Sequence, residues 1–295
     1  MSTLYTAKFN INENIHKVEK GELELNNLLN TIFKELNQQD KVTDTHDEDI
    51  TYKFVNLDRD YDSMILTGRM IKYYDGVNSR YIEEEDTVID EHTSNKADYI
   101  TFSFDFKTEI VGFVPKRSFS KEAFMNFFEL LVAKMVPEVG IVVLVLVVDA
   151  AELDAKFKKI DLLKEIQIDI IPENNDGPEL ASMIEILIDP LKDSNAQHMS
   201  INLKGTKREP LIKKSELVSN FRGMAKKAYA RFIAVGYKKN GESYNIDTRK
   251  DTLLKRNILD NEKDSMPAIK ELTQDAAKDY ISQRAEEVKR NGGKG

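Results

Sequence analysis

Apolar residues in this chain recur at two different spacings, and the two alternate along its length. From Thr6 to Ile11 they fall at every second position, the period of a half-buried strand, whereas Leu25, Leu28, Leu29, Ile32, Phe33 and Leu36 fall on one helical face. Ile50 to Val55 and Met64 to Tyr73 read as two further strands, and Tyr99 to Phe104 with Ile110 to Val114 form a hairpin that turns through Asp105 to Thr108. A chain patterned in this way must bury strands against helices, which excludes a pure bundle and a pure sandwich. The polar, acidic stretches 37 to 49 and 83 to 97 read as loops.

Ser120 occupies an N-cap position before a helix whose Phe124, Phe127, Phe128, Leu131, Val132 and Met135 make one wide apolar face ending at Pro137. Ile141 to Val148 is apolar without alternation, as in a strand buried on both faces, although periodicity alone also admits a buried helix. The alternation then resumes with a strand from Ile166 to Ile171, a helix from Pro178 to Ile188 and a strand from Met199 to Leu203. Ser215 caps a further helix with Leu217, Phe221, Met224 and Ala228 on one side. A strand from Ala230 to Tyr237, a two-residue turn at Asn240-Gly241 and a returning strand through Tyr244 and Ile246 follow. Met266 to Arg290 reads as a charged helix closed by Gly292-Gly293.

At 295 residues the chain is near the size at which one core gives way to two. The expected architecture is α+β, with mixed sheets, packed helices, two compact units and a charged C-terminal helix. Its expected parts are an acidic α+β unit over 1–150, a basic α+β unit over 151–250 and a charged helical extension over 251–295, the first boundary falling where composition turns charged near Asp149 to Lys159.

Several function classes are excluded by what the residues lack. With no cysteine there is no disulfide scaffold, Cys-ligated zinc or thiol nucleophile, and an intracellular, cytoplasmic setting is the simplest expectation. The first eight residues hold no apolar signal core, and the longest apolar run, Gly140 to Val148, is far short of the ~20 residues of a membrane-crossing helix. No Gly-rich loop precedes a Lys-Ser or Lys-Thr pair, and no dinucleotide fingerprint follows a strand. His16, His46, His92 and His198 have no second ligand at metal spacing, and His46 beside Asp47, Glu48 and Asp49 belongs to a solvated acidic loop. The nearest approach to a nuclease centre is Asp105, Lys107 and Glu109, which a hairpin turn explains equally well. No catalytic residue, metal or cofactor is assigned.

Charge supplies the positive signal. The protein carries a net −8, yet residues 204 to 239 hold eleven Lys and Arg against Glu209 and Glu216, a net +9 that leaves −17 on the remainder. A basic segment on an acidic body is the pattern of a polyanion site. Phosphate binding needs cations without a particular base-reading geometry. Lys204, Lys207 and Arg208 at the end of a strand are therefore the first candidates, followed by Arg222, Lys226 and Lys227, with Lys213 and Lys214 at the helix start. Lys238 and Lys239 sit at a hairpin tip, and Tyr229, Tyr237 and Tyr244 read as core or strand residues in preference to base-stacking platforms.

The stretch Phe102-Ser103-Phe104-Asp105-Phe106-Lys107-Thr108-Glu109-Ile110-Val111-Gly112-Phe113, then Ser118 and the Ser120 helix, resembles the central hairpin and helix of the RexA-like phage-exclusion DNA-binding proteins. The strand from Ile166, the helix from Pro178 and the strand ending in Lys204 are similar to later elements of that family. Thr206 stands where the family has a second lysine, and Lys207-Arg208 follow it, which shifts the register of the implied contacts. The resemblance covers element order over roughly residues 1 to 230 and extends more loosely to the KwaB component of the Kiwa antiphage system. It implies a non-enzymatic protein of phage exclusion or abortive infection that binds duplex DNA without strong sequence preference. It further implies a homodimer or other homo-oligomer and a separately encoded membrane protein as partner. Two other readings compete with it: a metal-dependent nuclease using Asp105 to Glu109, and an adaptor whose acidic first half docks a basic protein.

Overall fold

A computed structural model of the chain describes residues 1–171 and 198–292. The helix expected from Pro178 to Ile188 lies outside the described residues. The first strand, β1 (Ser2–Ile11), organises the larger of two sheets. On one edge it pairs with β6 (Ile110–Phe113). On the other, β12 (Lys255–Ile258) and β7 (Val142–Leu146) lie end to end, the former along residues 2 to 5 and the latter along 7 to 11. Beyond β6 the sheet continues through β5 (Thr87–Asp105), β4 (Ile65–Ile82), β3 (Thr51–Asp60) and β2 (Lys41–Thr43).

Alternation along each strand gives this sheet two faces. One carries Phe9, Phe54, Phe102, Phe104 and Phe113 against α2 (Leu25–Glu35) and α3 (Lys121–Met135) in a single core, to which a short α1 (Ile15–Glu19) adds Ile15 and Val18. The Ser120 hydroxyl accepts from the Ala123 amide at 3.1 Å, and the Phe127 ring of the helix it caps stacks on Tyr52 at 3.6 Å. The other face is covered by α6 (Met266–Gly292), whose Ile269, Thr273, Ala276, Ala277 and Tyr280 are buried. Gly112 permits that approach, since a Cβ there would collide with the Thr273 side chain.

The smaller sheet runs β11 (Ser243–Asp247), β10 (Ala230–Tyr237), β8 (Leu162–Ile170), β9 (Met199–Lys204). Its core packs Phe232 against Leu153 and Phe157 of α4 (Ala150–Lys158) and Phe221 and Met224 of α5 (Glu216–Lys226). Asp149 caps α4, accepting from the Glu152 amide at 2.8 Å, and Ser215 caps α5 through the Val218 amide at 3.4 Å. A third cluster, including Ile110, Val145, Ile171, Ala228 and Ala277, joins both sheets to α6.

The α+β class is as the sequence indicates, but several details differ, among them β2 (Lys41–Thr43), which lies within the stretch 37 to 49 expected as a loop. Every described pairing is antiparallel, so among the described residues the sheets are not mixed. The acidic stretch 83 to 97 is not a loop. β4 and β5 run on past the sheet as a two-stranded ribbon, paired out to Ile82 and Thr87, with Glu83 to Asp86 as its turn. Val77, Tyr81, Val88 and Ile89 on this ribbon are exposed, so no buried face imposes a strand period. On α5 the inward residue is Val218, Leu217 is exposed, and Ala228 lies past the helix end at a left-handed φ of 58°. The turn at Asn240-Gly241 spans more than two residues: the Gly241 amide bonds to the Lys238 carbonyl and the Lys238 amide to the Glu242 carbonyl, with Gly241 at φ 82°. Residues 251–295 are more than a helical extension, because 255–258 form a strand of the first sheet and the Tyr280 hydroxyl donates to the Lys227 carbonyl at 2.8 Å.

Candidate nucleic-acid interface

One end of the smaller sheet gathers cations from three separate segments of the sequence. Lys204 ends β9 directly opposite Glu165 near the start of β8. The chain then folds back over that start, with the Gly205 amide donating to the Lys164 carbonyl at 2.7 Å and the Leu211 amide to the Leu163 carbonyl at 2.8 Å. Gly205 is required for this close passage, since a Cβ would lie 2.8 Å from the Leu211 nitrogen. Tyr237 at the end of β10 pairs with Leu162, which brings the Lys238-Lys239 turn to the same end. The Asp161 amide bonds to the Tyr237 carbonyl at 2.7 Å and so sets Lys158 and Lys159, at the end of α4, beside that turn. Lys158, Lys159, Asp161, Lys238, Lys239 and Asn240 together line a recess of about 380 Å³. Across segments 158–165, 204–214 and 237–242 there are ten Lys and Arg against four Asp and Glu.

The predicted contact residues divide into three groups. Lys204, Lys207, Arg208 and Lys214 are exposed. Lys204 lies 3.5 Å from Glu165, a loose surface pair, and Lys207 stands over the Tyr237 ring at 5.7 Å. Lys213 is half-buried, donates to the Ile160 carbonyl and lies over Phe157, and desolvation lowers its pKa, the nearby Arg222 acting in the same direction against the attraction of Asp161. Arg222, Lys226 and Lys227 face inward. Asp154 takes Arg222 at 3.1 Å and Lys226 at 2.8 Å, the Arg222 guanidinium stacks over Phe157 at 4.5 Å, and Lys227 is 3% exposed. These three act in packing α5 on α4 and α6 and do not join the exposed basic end, because the apolar face of α5 rotates them toward its neighbours.

Lys158, Lys159 and Lys164 belong to the basic end and were not among the sequence candidates. The one local sign of them is the Lys-Lys pair closing a helix, where cations complement the helix dipole. Tyr237 and Tyr244 are half-buried and carry Lys207 and Lys238 over their rings, while Tyr229 is buried, so none is an open stacking platform.

The alternative centre at Asp105 to Glu109 is committed to structure. Asp105 Oδ1 accepts from the Lys107 and Thr108 amides at 2.9 and 3.3 Å, and Glu109 forms a buried pair with Lys8 at 2.7 Å. Among the described residues no group of three His, Asp or Glu side chains is arranged to hold a metal ion. No helix of the described residues is long and apolar enough to cross a membrane.

An antiparallel α+β protein of acidic net charge, with a cluster of exposed cations at one end of its smaller sheet, is the class that this arrangement defines. The chain belongs to the DUF4747 family, a domain of unknown function, whose model matches residues 2–274 and so spans both sheets, β12 and the start of α6. No curated protein matches the chain.

Proposed function

We propose that this protein binds duplex DNA without strong sequence preference through the basic end of its smaller sheet, as a non-enzymatic component of antiphage defence. The observation that carries the reading is the convergence of ten cations, against four carboxylates, on one end of a chain whose total charge is −8. Charge spread for solubility alone would not segregate in this way. The cations are lysines and an arginine on strand ends and turns, suited to phosphate oxygens, which carry no sequence information. The resemblance to RexA-like phage-exclusion proteins supports the defence role, a cytoplasmic homo-oligomer, and a separately encoded membrane protein that receives the signal.

Incubating the purified chain with plasmid and magnesium tests the reading against the nuclease alternative. Retarded, uncut plasmid is expected. Cut plasmid would overturn the non-enzymatic assignment, and unretarded plasmid at low salt would overturn the DNA-binding one.

A further inference from the structure

Roughly 20 Å from the basic end, at the strand rise of β10 between Tyr237 and Arg231, a second recess lies between the two sheets. Its volume is about 380 Å³, within the range of small-molecule sites. α3 supplies Lys121, Met125 and Glu129, β7 supplies Val145 and Leu146, and Arg231 and Arg249 come from β10 and the segment after β11. The lining therefore joins an apolar strip to three cations and two carboxyls, Glu122 and Glu129.

The charges around it are unevenly compensated. Arg249 is held by Asp247 through two bonds at 2.9 Å. Lys121 pairs with Glu122 at 2.8 Å and donates to the Arg249 carbonyl at 2.9 Å. The Arg231 side chain, half-buried on the outer face of β10, makes no hydrogen bond or ion pair with the described residues. Two carboxyls stand near it: Asp169, directly opposite on β8, already accepts from the Ser200 hydroxyl at 2.6 Å, and Glu129 on α3 accepts through Oε1 from the Leu144 amide at 2.6 Å. Burial pushes the Glu129 carboxyl up to about 7, against the opposing effects of the Leu144 amide and Arg231. Near neutral pH a share of it is therefore an uncharged donor.

We propose that this cleft binds a small organic phosphate, with Arg231 on the phosphate, the Met125, Val145 and Leu146 surface against the organic body, and the Glu129 carboxyl at a further phosphate oxygen. A phosphate has oxygens enough to meet Arg231 and Glu129 together, and its charge supplies what the lone guanidinium lacks. Because the ligand touches α3 and β10 at once, binding ties the two units together. The site is separate from the basic end and does not depend on DNA binding.

Calorimetric titration of the full chain with phenyl phosphate, inorganic phosphate and benzyl alcohol tests the proposal. Phenyl phosphate is expected to bind most tightly, inorganic phosphate more weakly, and benzyl alcohol not at all. Arg231→Ala should weaken phenyl phosphate at least tenfold, and Arg231→Lys, which keeps the charge and most of the packing, should lose less. Benzenesulfonate, fully ionised between pH 6 and 8, isolates Glu129: if binding needs the neutral carboxyl, affinity should fall by about tenfold across that range and become flat in Glu129→Gln. The other charged groups around the cleft are Lys121, Glu122, Arg231 and Arg249 in its lining, with Asp169 opposite Arg231 and Asp247 on Arg249. The proposal is overturned if the parent binds no phenyl phosphate at 10 mM, or if Arg231→Ala and Arg231→Lys, with unchanged melting temperatures, bind it as the parent does.

Discussion

Asp154 on α4 and Lys226 on α5 meet at 2.8 Å, with the lysine 7% exposed, and the same carboxylate also holds Arg222. Two cations that look like phosphate contacts in the sequence are thus a clamp between helices. Asp154→Ala leaves both without their carboxylate, one of them buried, and is expected to cost about 2 kcal/mol in urea unfolding, with Asp154→Asn costing less. Arg222→Ala should likewise reduce stability while leaving duplex affinity within twofold. A large loss of DNA binding from Arg222→Ala, at unchanged stability, would return it to the interface.

A second internal pair makes an independent stability test. Lys8 and Glu109 lie 2.7 Å apart on the face of β1 opposite Phe9, both almost fully buried. Either Lys8→Met or Glu109→Gln alone should lose roughly 3 kcal/mol or more, because a buried charge is left without its partner. The double variant should recover much of that loss. Additive losses in chemical denaturation would mean that the two residues act separately.

The sequence reveals the elements whose signal is local. Ser120 and Ser215 cap the expected helices, the Phe-rich face of α3 is the core face, and Val142 to Leu146, within the expected run Ile141 to Val148, form a strand largely buried on both sides, while Ile141 is exposed. The ribbon of β4 and β5 escapes because both of its faces meet solvent, so backbone pairing alone specifies it. β12 escapes because four residues, Lys255 to Ile258, are too few to show a period. The candidate site was half legible: the charge excess of 204 to 239 is a one-dimensional fact, but sorting Lys204, Lys207 and Arg208 from Lys226 and Lys227 depends on which way α5 turns. Bringing Lys158 and Lys159 to the Lys238-Lys239 turn depends on the Tyr237–Asp161 pairing across 76 residues.

The Glu129 carboxyl gives stability a pH dependence of definite sign. Its folded pKa, raised to about 7, lies above the unfolded value, so between about pH 4.5 and 7 the native state binds more protons and its stability falls as pH rises. Above pH 7 this contribution is flat. Comparing the parent with Glu129→Gln by urea unfolding at pH 5 and pH 8 isolates the effect from all other carboxylates. The parent should lose on the order of 2 kcal/mol relative to the variant, after allowance for partial exposure. Equal pH profiles would mean that Glu129 titrates normally.

The central claim is that exposed cations at one end of the smaller sheet contact DNA phosphates, and the salt dependence of duplex binding tests it most directly. For the parent, log K should fall linearly with log salt, losing about 0.9 for each phosphate contact. Replacing Lys204, Lys207 and Arg208 together with Ala should weaken binding and lower the magnitude of that slope by about 3, at an unchanged melting temperature, since exposed cations seldom alter stability by more than about 0.5 kcal/mol. Replacing Lys238 and Lys239 should do less, because Glu242 already pairs with Lys238 at 3.1 Å. A flat salt response in the parent, or a folded triple variant with the parent's affinity and slope, would contradict the account.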